Sequence, residues 1–208
     1  MTSSDAIVFI VDDDSSVRTA LKRLIKSVGH TVTTFSSARE FLDHDHPDVP
    51  SCLVLDIRMP GLSGLELQEE MAAQGLTMSI IFITGHGNIP ISVRAMKAGA
   101  VDFLEKPFDD QVLLDAIHHA IAKDTQAKQE QTEIDEVKQR VASLTPREHD
   151  VFSLVITGML NKQIAFELGT SEKTVKVHRA RVMQKMSAKS LADLVRLAEK
   201  AGVPPTKV

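Results

Sequence analysis

The sequence predicts an α/β amino-terminal domain, a five-stranded doubly wound parallel sheet, joined by a long helix to an all-α domain of four helices. Three observations predict it. Short apolar runs bounded by turn formers alternate five times with segments of helical period, as parallel strands covered on both faces require. Beyond residue 141 the apolar runs stop and only capped helical segments remain. The charge changes sign at the same place: residues 1–141 hold 13 Lys and Arg against 22 Asp and Glu, and residues 142–208 hold 11 against 6. An acidic module beside a basic one points to a cation site in the first and a nucleic-acid partner for the second. The expected boundaries are 1–122 for the sheet domain, 123–141 for the connecting helix and 142–208 for the helical domain.

The first strand is Ala6-Ile7-Val8-Phe9-Ile10-Val11, and it ends in Asp12, Asp13 and Asp14. No basic residue precedes this run and three acids close it, so it reads as neither a signal peptide nor a membrane span. A helix follows from Ser15 or Ser16, with Val17, Leu21, Leu24, Ile25 and Val28 at helical spacing and Gly29 as its stop. The β-branched stretch Thr31 to Phe35 is the second strand. Ser36 and Ser37 cap a short helix through Phe41 and Leu42. His44-Asp45-His46 then lies in a polar loop, where two histidines without further ligands at suitable spacing read as a solvated turn rather than a metal site.

The third strand, Cys52 to Asp56, runs into the turn Ile57-Arg58-Met59-Pro60-Gly61 and contains the only cysteine of the chain. One thiol in a buried strand rules out an internal disulfide and suits a small apolar packing role. Leu65, Leu67 and Met71 mark the third helix, and Ser79 to Thr84 the fourth strand, closed by Thr84-Gly85-His86-Gly87. Ile89 to Ala98 is the fourth helix, and Val101 to Glu105 the fifth strand, closed by Lys106-Pro107.

In open α/β sheets ligands gather beyond the carboxyl ends of the strands. Asp12, Asp13, Asp56, Thr84 and Lys106 all fall there. Clustered carboxylates repel one another where water is scarce, so they call for a cation, and hard oxygen donors favour Mg²⁺. A lysine ammonium and a threonine hydroxyl are suitable donors to phosphoryl oxygens. One carboxylate, Asp56, is then left to carry a phosphoryl group as nucleophile.

From Asp109 onward Val112, Leu113, Ala116, Ile117, Ala120 and Ile121 form an amphipathic fifth helix without a stop signal. Residues 124–140 lack Gly and Pro and consist mostly of good helix formers, so one long helix is expected rather than a loose tether. His118 and His119 are adjacent on it and diverge. Thr145-Pro146-Arg147-Glu148 is a capping box that starts a helix to Gly158. Asn161 is read as the cap of the next helix, closed by Gly169. Thr170 or Ser171 starts the third, which runs to Met186, and Ser190 with Asp193 starts the fourth. Helix, glycine turn, helix is the helix-turn-helix pattern. On the third helix Val175, Val182 and Met186 share one side. Lys173, Val177, Ala180, Arg181 and Gln184 share the other, flanked by Thr174, Lys176 and Lys185, a mixture suited to phosphates and base edges in a major groove.

Val11-Asp12-Asp13-Asp14, Leu55-Asp56-Ile57-Arg58-Met59-Pro60-Gly61 with Ser63-Gly64, Thr84-Gly85 and Lys106-Pro107-Phe108 together resemble the receiver domain of two-component response regulators, over residues 5–122. The resemblance implies a flavodoxin-like fold with Asp56 as phospho-acceptor. It implies Mg²⁺ bound by Asp13, Asp56 and the backbone carbonyl of Arg58, with Asp12 acting through water. It also assigns phosphoryl binding to Thr84 and Lys106 and implies a cis Lys106-Pro107 bond. Phe103 stands where many members carry a switch tyrosine, so no hydroxyl relay takes part.

Residues 142–204 resemble the LuxR-type helix-turn-helix of the NarL/FixJ class, through Leu144-Thr145-Pro146-Arg147-Glu148, Asn161-Lys162-Gln163-Ile164-Ala165 and Lys173-Thr174-Val175-Lys176-Val177-His178. There Lys176 and Val177 fall at groove-facing positions. Ala180 lacks the basic side chain some members have, which shifts phosphate anchoring to Arg179 or Arg181.

The function expected is a phosphorylation-activated transcriptional regulator in the cytoplasm. Its expected partners are a sensor histidine kinase, double-stranded promoter DNA, a second copy when phosphorylated, and RNA polymerase, with no membrane. It is not expected to be an enzyme beyond phosphoryl transfer to itself and slow autodephosphorylation. The alternative is a Mg²⁺-dependent phosphohydrolase working through an aspartyl phosphate, whose usual second aspartate two residues after the nucleophile is Arg58 here.

Overall fold

Five parallel strands in the order β2-β1-β3-β4-β5 form the sheet of the computed structural model, which describes residues 6–85 and 89–203. They are β1 (Ile7–Val11), β2 (Thr31–Phe35), β3 (Ser51–Asp56), β4 (Ser79–Thr84) and β5 (Asp102–Glu105). The helices between them are α1 (Ser15–Ser27), α2 (Ala38–Leu42), α3 (Gly64–Ala73) and α4 (Ile89–Lys97). His86 and Gly87, expected to close β4, lie outside the described residues, as do residues 1–5 and 204–208 of the expected domains.

The sheet is covered on both faces, and side-chain alternation along each strand assigns the faces. Val8, Ile10, Cys52, Val54, Ile81 and Ile83 point into one cluster with Leu21 and Ile25 of α1. Phe9, Val11, Leu53, Leu55 and Phe82 point into the other with Phe41 of α2, Leu67 and Met71 of α3, and Ala95 of α4. All six residues of β3 and all six of β4 are buried, which is why those runs read as continuously apolar. Truncating Phe82, fully buried, to alanine would cost about 3–5 kcal/mol.

The fifth helix, α5, is unbroken from Asp110 to Ala142, as expected from the absence of breakers. Its early residues Leu113, Ile117 and Ile121 complete the α1 side of the sheet core. The chain divides into two compact units at Lys128 and Gln129, so the sheet unit extends six residues past the expected boundary at 122. Two side chains tie that extra turn down. Asp124 accepts from the Ser51 N–H at 2.9 Å, and Lys128 pairs with Asp48.

The second unit holds α6 (Pro146–Val155), α7 (Asn161–Glu167), α8 (Glu172–Lys185) and α9 (Leu191–Lys200). Val137 of α5 joins Val151, Phe152, Val155, Ile164, Val175, Val182, Met186 and Leu194 in its core. The Thr145 capping box forms, and Ser171 and Ser190 cap α8 and α9. Asn161 does not cap α7. The cap position falls on Leu160, whose side chain cannot accept, and Gln163 reaches back to the Leu160 N–H at 2.8 Å instead.

The His44 loop also differs from its expected solvated state. The His46 ring lies 4.4 Å from that of Phe41, with its Nε2 3.0 Å from the Phe41 carbonyl. Burial holds its pKa below the usual imidazole range. It serves as packing for the Phe9 and Phe41 rings.

Candidate functional site

Strand order reverses about β1, so the carboxyl ends of β1 and β3 open a crevice at the topological switch point. Asp12 stands at the first end and Asp56 at the second, both nearly inaccessible at 1% and 6% exposure. Lys106, just past β5, reaches between them: its Nζ donates to Asp12 Oδ2 at 2.7 Å and to Asp56 Oδ1 at 2.8 Å. The Lys106 N–H donates to the Thr84 carbonyl at 2.7 Å, which fixes the residue at the end of β4. The Lys106-Pro107 bond is cis, as the resemblance implies.

The second Asp56 oxygen accepts from the Arg58 N–H at 2.8 Å. Burial pushes the Asp56 carboxyl above the ordinary aspartate range, while the Lys106 ammonium pulls it down and favours the ionised form. For Lys106 itself burial works against the charge, but the hydrogen bonds to Asp12 and Asp56 prevail and its pKa is raised. The hydroxyl-bearing Thr84 is 1% exposed, and Phe103 is partly buried opposite Phe82 in the sheet. Asp13, by contrast, projects into solvent.

Among the described residues no three acidic, histidine or cysteine side chains already converge as a metal cage. The donors here are nonetheless all hard oxygens: the carboxylates of Asp12, Asp13 and Asp56 and the carbonyl of Arg58. That set fits Mg²⁺, which retains several waters and needs only one or two carboxylates.

Gly64, the first residue of α3, is required at this edge. A Cβ there would lie 2.3 Å from the Asp56 carbonyl oxygen, and the Gly64 N–H donates to the Ile57 carbonyl at 3.0 Å. The helix start and the strand end thus approach to a distance only glycine allows. Its Ser63 capping box, with Glu66, fixes the same turn.

In the second unit α8 buries Val175 and Val182 and presents Lys173, Thr174, Lys176, Val177, Ala180, Arg181 and Gln184 to solvent. Five residues expected to contact DNA, Lys173, Thr174, Lys176, Val177 and Arg181, therefore lie on the exposed side. Arg179 and Lys185 are engaged within the fold. Arg179 Nη1 donates to Asn161 Oδ1 at 3.3 Å. Lys185 Nζ donates to Glu148 Oε2 at 2.6 Å and to the Ser143 carbonyl at 2.9 Å. The Glu148 side chain is 3% exposed, and the bonds from Lys185 and Thr145 bring its pKa down to about 2. In the sequence Glu148 reads only as the acid of the Thr145 capping box. Nothing local marks its partner Lys185, 37 residues away.

A pocket of carboxylates and a lysine at the switch point of a doubly wound sheet, followed by a basic helix-turn-helix, defines a response regulator that binds DNA, and the chain belongs to that family. Residues 8–118 match the response regulator receiver domain, and residues 142–198 match the bacterial regulatory proteins of the luxR family. Nodulation protein W of Bradyrhizobium diazoefficiens is 54% identical over 201 residues, covering 97% of this chain and 88% of its own. The transcriptional regulatory protein FixJ of Azorhizobium caulinodans is 46% identical, covering 95% and 94%. The solved structure of the response regulator StyR superposes with a TM-score of 0.84 at 52% identity, covering 94% of this chain and 99% of that one.

The protein is accordingly a phosphorylation-activated transcriptional regulator, with a kinase and DNA as partners, and the phosphohydrolase alternative is not favoured. Receiver domains use Mg²⁺ in their phosphorylation. Among the described residues no helix is long and apolar enough to cross a membrane.

Proposed function

We propose that Asp56 is the phospho-acceptor, served by a sensor histidine kinase. One Asp56 oxygen attacks phosphorus, the nitrogen–phosphorus bond of the kinase phosphohistidine breaks, and the imidazole leaves with the electron pair. Asp13, Asp56 and the Arg58 carbonyl, with Asp12 through water, would hold Mg²⁺, which would neutralise the phosphoryl charge. Lys106 already touches one Asp56 oxygen and lies within reach of a phosphoryl group carried there, and Thr84 lies at the neighbouring strand end. The observation that carries the reading is the placement of Asp56: buried, at the switch point, with one ammonium shared between it and Asp12.

The phosphorylated chain then pairs with a second copy and reads promoter DNA through Lys173, Thr174, Lys176, Val177 and Arg181. Contact with RNA polymerase follows at the promoter, in the cytoplasm. Ile89, Val93 and Met96 support the dimer. They recur at i, i+4 and i+7 on α4 and are 80%, 45% and 45% exposed, an apolar stripe suited to a partner surface. Thr84 and Phe103 are the switch pair that would remodel that face. The chain is a signal holder rather than a turnover enzyme, because Arg58 replaces the second aspartate of the hydrolases.

Treatment with a small acyl phosphate and Mg²⁺, followed by mass spectrometry, tests the assignment. One phosphoryl adduct is expected on Asp56 and none in Asp56→Asn. An adduct that persists at the same stoichiometry in the variant would place the acceptor elsewhere.

A further inference from the structure

Asp124 is a buried carboxylate that neither the phosphoryl pocket nor the basic helix uses. It lies on α5 and is 5% exposed. It accepts the N–H of Ser51 at 2.9 Å, and the nearby Ser79 amide also stabilises its charge. Ser51 and Ser79 are the first residues of β3 and β4. The same two strands end at Asp56 and Thr84. One side chain of α5 therefore holds the amino ends of the two strands whose carboxyl ends carry the phospho-acceptor and the switch threonine.

The strands between are closely coupled. β3 and β4 are paired throughout, from Cys52 with Ser79 to Asp56 with Ile83, and all their residues are buried. A packed, fully hydrogen-bonded pair slides or tilts as a unit instead of deforming locally. One turn after Asp124, Lys128 pairs with Asp48 in the segment that leads into β3. Beyond that point α5 continues without interruption to Ala142, inside the second compact unit. Burial raises the Asp124 carboxyl above its ordinary range, against the two amide donors that stabilise its charge. An apolar residue in its place would leave the Ser51 N–H unpaired at the start of β3.

We propose that Asp124 is the positioning residue that couples Asp56 phosphorylation to DNA affinity, by tying α5 to the amino ends of β3 and β4. A displacement of the β3–β4 pair, set off at Asp56 and Thr84, then reaches the helix that runs into the DNA-binding unit. The proposal rests on the reading that phosphorylation at Asp56 raises DNA affinity.

The test uses the full chain, wild type and Asp124→Asn, with a DNA fragment selected by the wild type from a random pool. Affinity is measured with and without beryllofluoride and Mg²⁺, and Asp56 phosphorylation by acetyl phosphate is followed in parallel. In the wild type the mimic should raise affinity by about 5–150-fold, the usual range for allosteric coupling. In Asp124→Asn the gain should fall below about threefold while Asp56 is phosphorylated as in the wild type, a split that general loss of structure would not produce. A full gain in the folded variant overturns the proposal. If the variant does not fold, the wild-type amide resonances of Ser51 and Ser79 decide: they should shift on adding beryllofluoride, and unchanged resonances overturn it. If the wild type gains no affinity, the activation reading itself fails, and the coupling role with it.

Discussion

The Lys185 ammonium, 2.6 Å from the Glu148 carboxylate, fastens the end of the recognition helix α8 to the first turn of α6. A cation satisfied by a buried carboxylate and a carbonyl has little left to offer a phosphate. Lys185→Met should therefore leave the salt dependence of DNA binding unchanged. Lys176→Ala or Arg181→Ala should each flatten it by about one unit of slope if the lost contact is to phosphate, or cost about 1–3 kcal/mol at one base pair if it is to a base edge. Affinity measured across a salt series separates these outcomes.

The same pair sets an acid limit. Glu148 titrates at about 2 in the fold, because Lys185 and the Thr145 cap stabilise its carboxylate, against an ordinary value of 4.5. A carboxyl with a depressed folded pKa lends stability above its unfolded pKa and loses it as pH falls through the folded one. The contribution should fade between about pH 4.5 and 2. Urea unfolding of Glu148→Gln should show a shallower loss over that window than the wild type.

Asp56 has the opposite sign. Its folded pKa is raised from 3.8, chiefly by burial, so the native state holds the proton more tightly than the unfolded chain. Stability is then lost as pH rises from 3.8 through the folded pKa, and the penalty persists at neutral pH. Asp56→Asn should be more stable than the wild type at pH 7, with the difference shrinking as pH falls through the folded pKa toward 3.8. Equal pH dependence in the two proteins would contradict the account.

Lys106→Met should act the other way. It leaves Asp12 and Asp56 facing each other without the ammonium that bonds both, at a cost of about 1–3 kcal/mol near neutrality. Thermal unfolding at pH 7 and pH 4 measures it. The loss should be smaller at pH 4, where protonation relieves the repulsion.

Gly64→Ala tests the strand-to-helix junction. The added methyl meets backbone atoms, Asp56 O at 2.3 Å and Ile57 Cα at 3.0 Å, and no flexible side chain can yield. A destabilisation of about 1–3 kcal/mol is expected, together with slower phosphorylation, because the carbonyl being displaced belongs to Asp56.

The strands, and the gathering of Asp12, Asp56 and Lys106 beyond their ends, were legible in the sequence because the strands are marked locally. A fully buried strand is a run of apolar residues, and each pocket residue sits at the end of such a run. β2 and β4 fall on their expected residues. What could not be read were contacts made across the fold. Asp124 looks like one more charge in a polar helix, since nothing local marks the strand amides it caps. Lys185 and Arg179 belong to the basic helix by charge alone, and their partners Glu148 and Asn161 come from other helices. Asn161 shows the limit of cap statistics: an asparagine in the right place was displaced by one residue because Gln163 could supply the cap from inside the helix.

Cys52 is fully buried near the start of β3, the central strand of the sheet, and burial pushes its thiol far above the ordinary range. With no Trp and no Tyr in the chain, the protein has almost no intrinsic fluorescence with which to follow unfolding. The lone thiol fills that gap. A nucleophilic thiolate forms only when the strand leaves the core, so the rate of alkylation at Cys52 reports the opening of the central sheet and nothing shallower. Comparing that rate with and without beryllofluoride gives a direct kinetic measure of how far phosphorylation tightens the sheet.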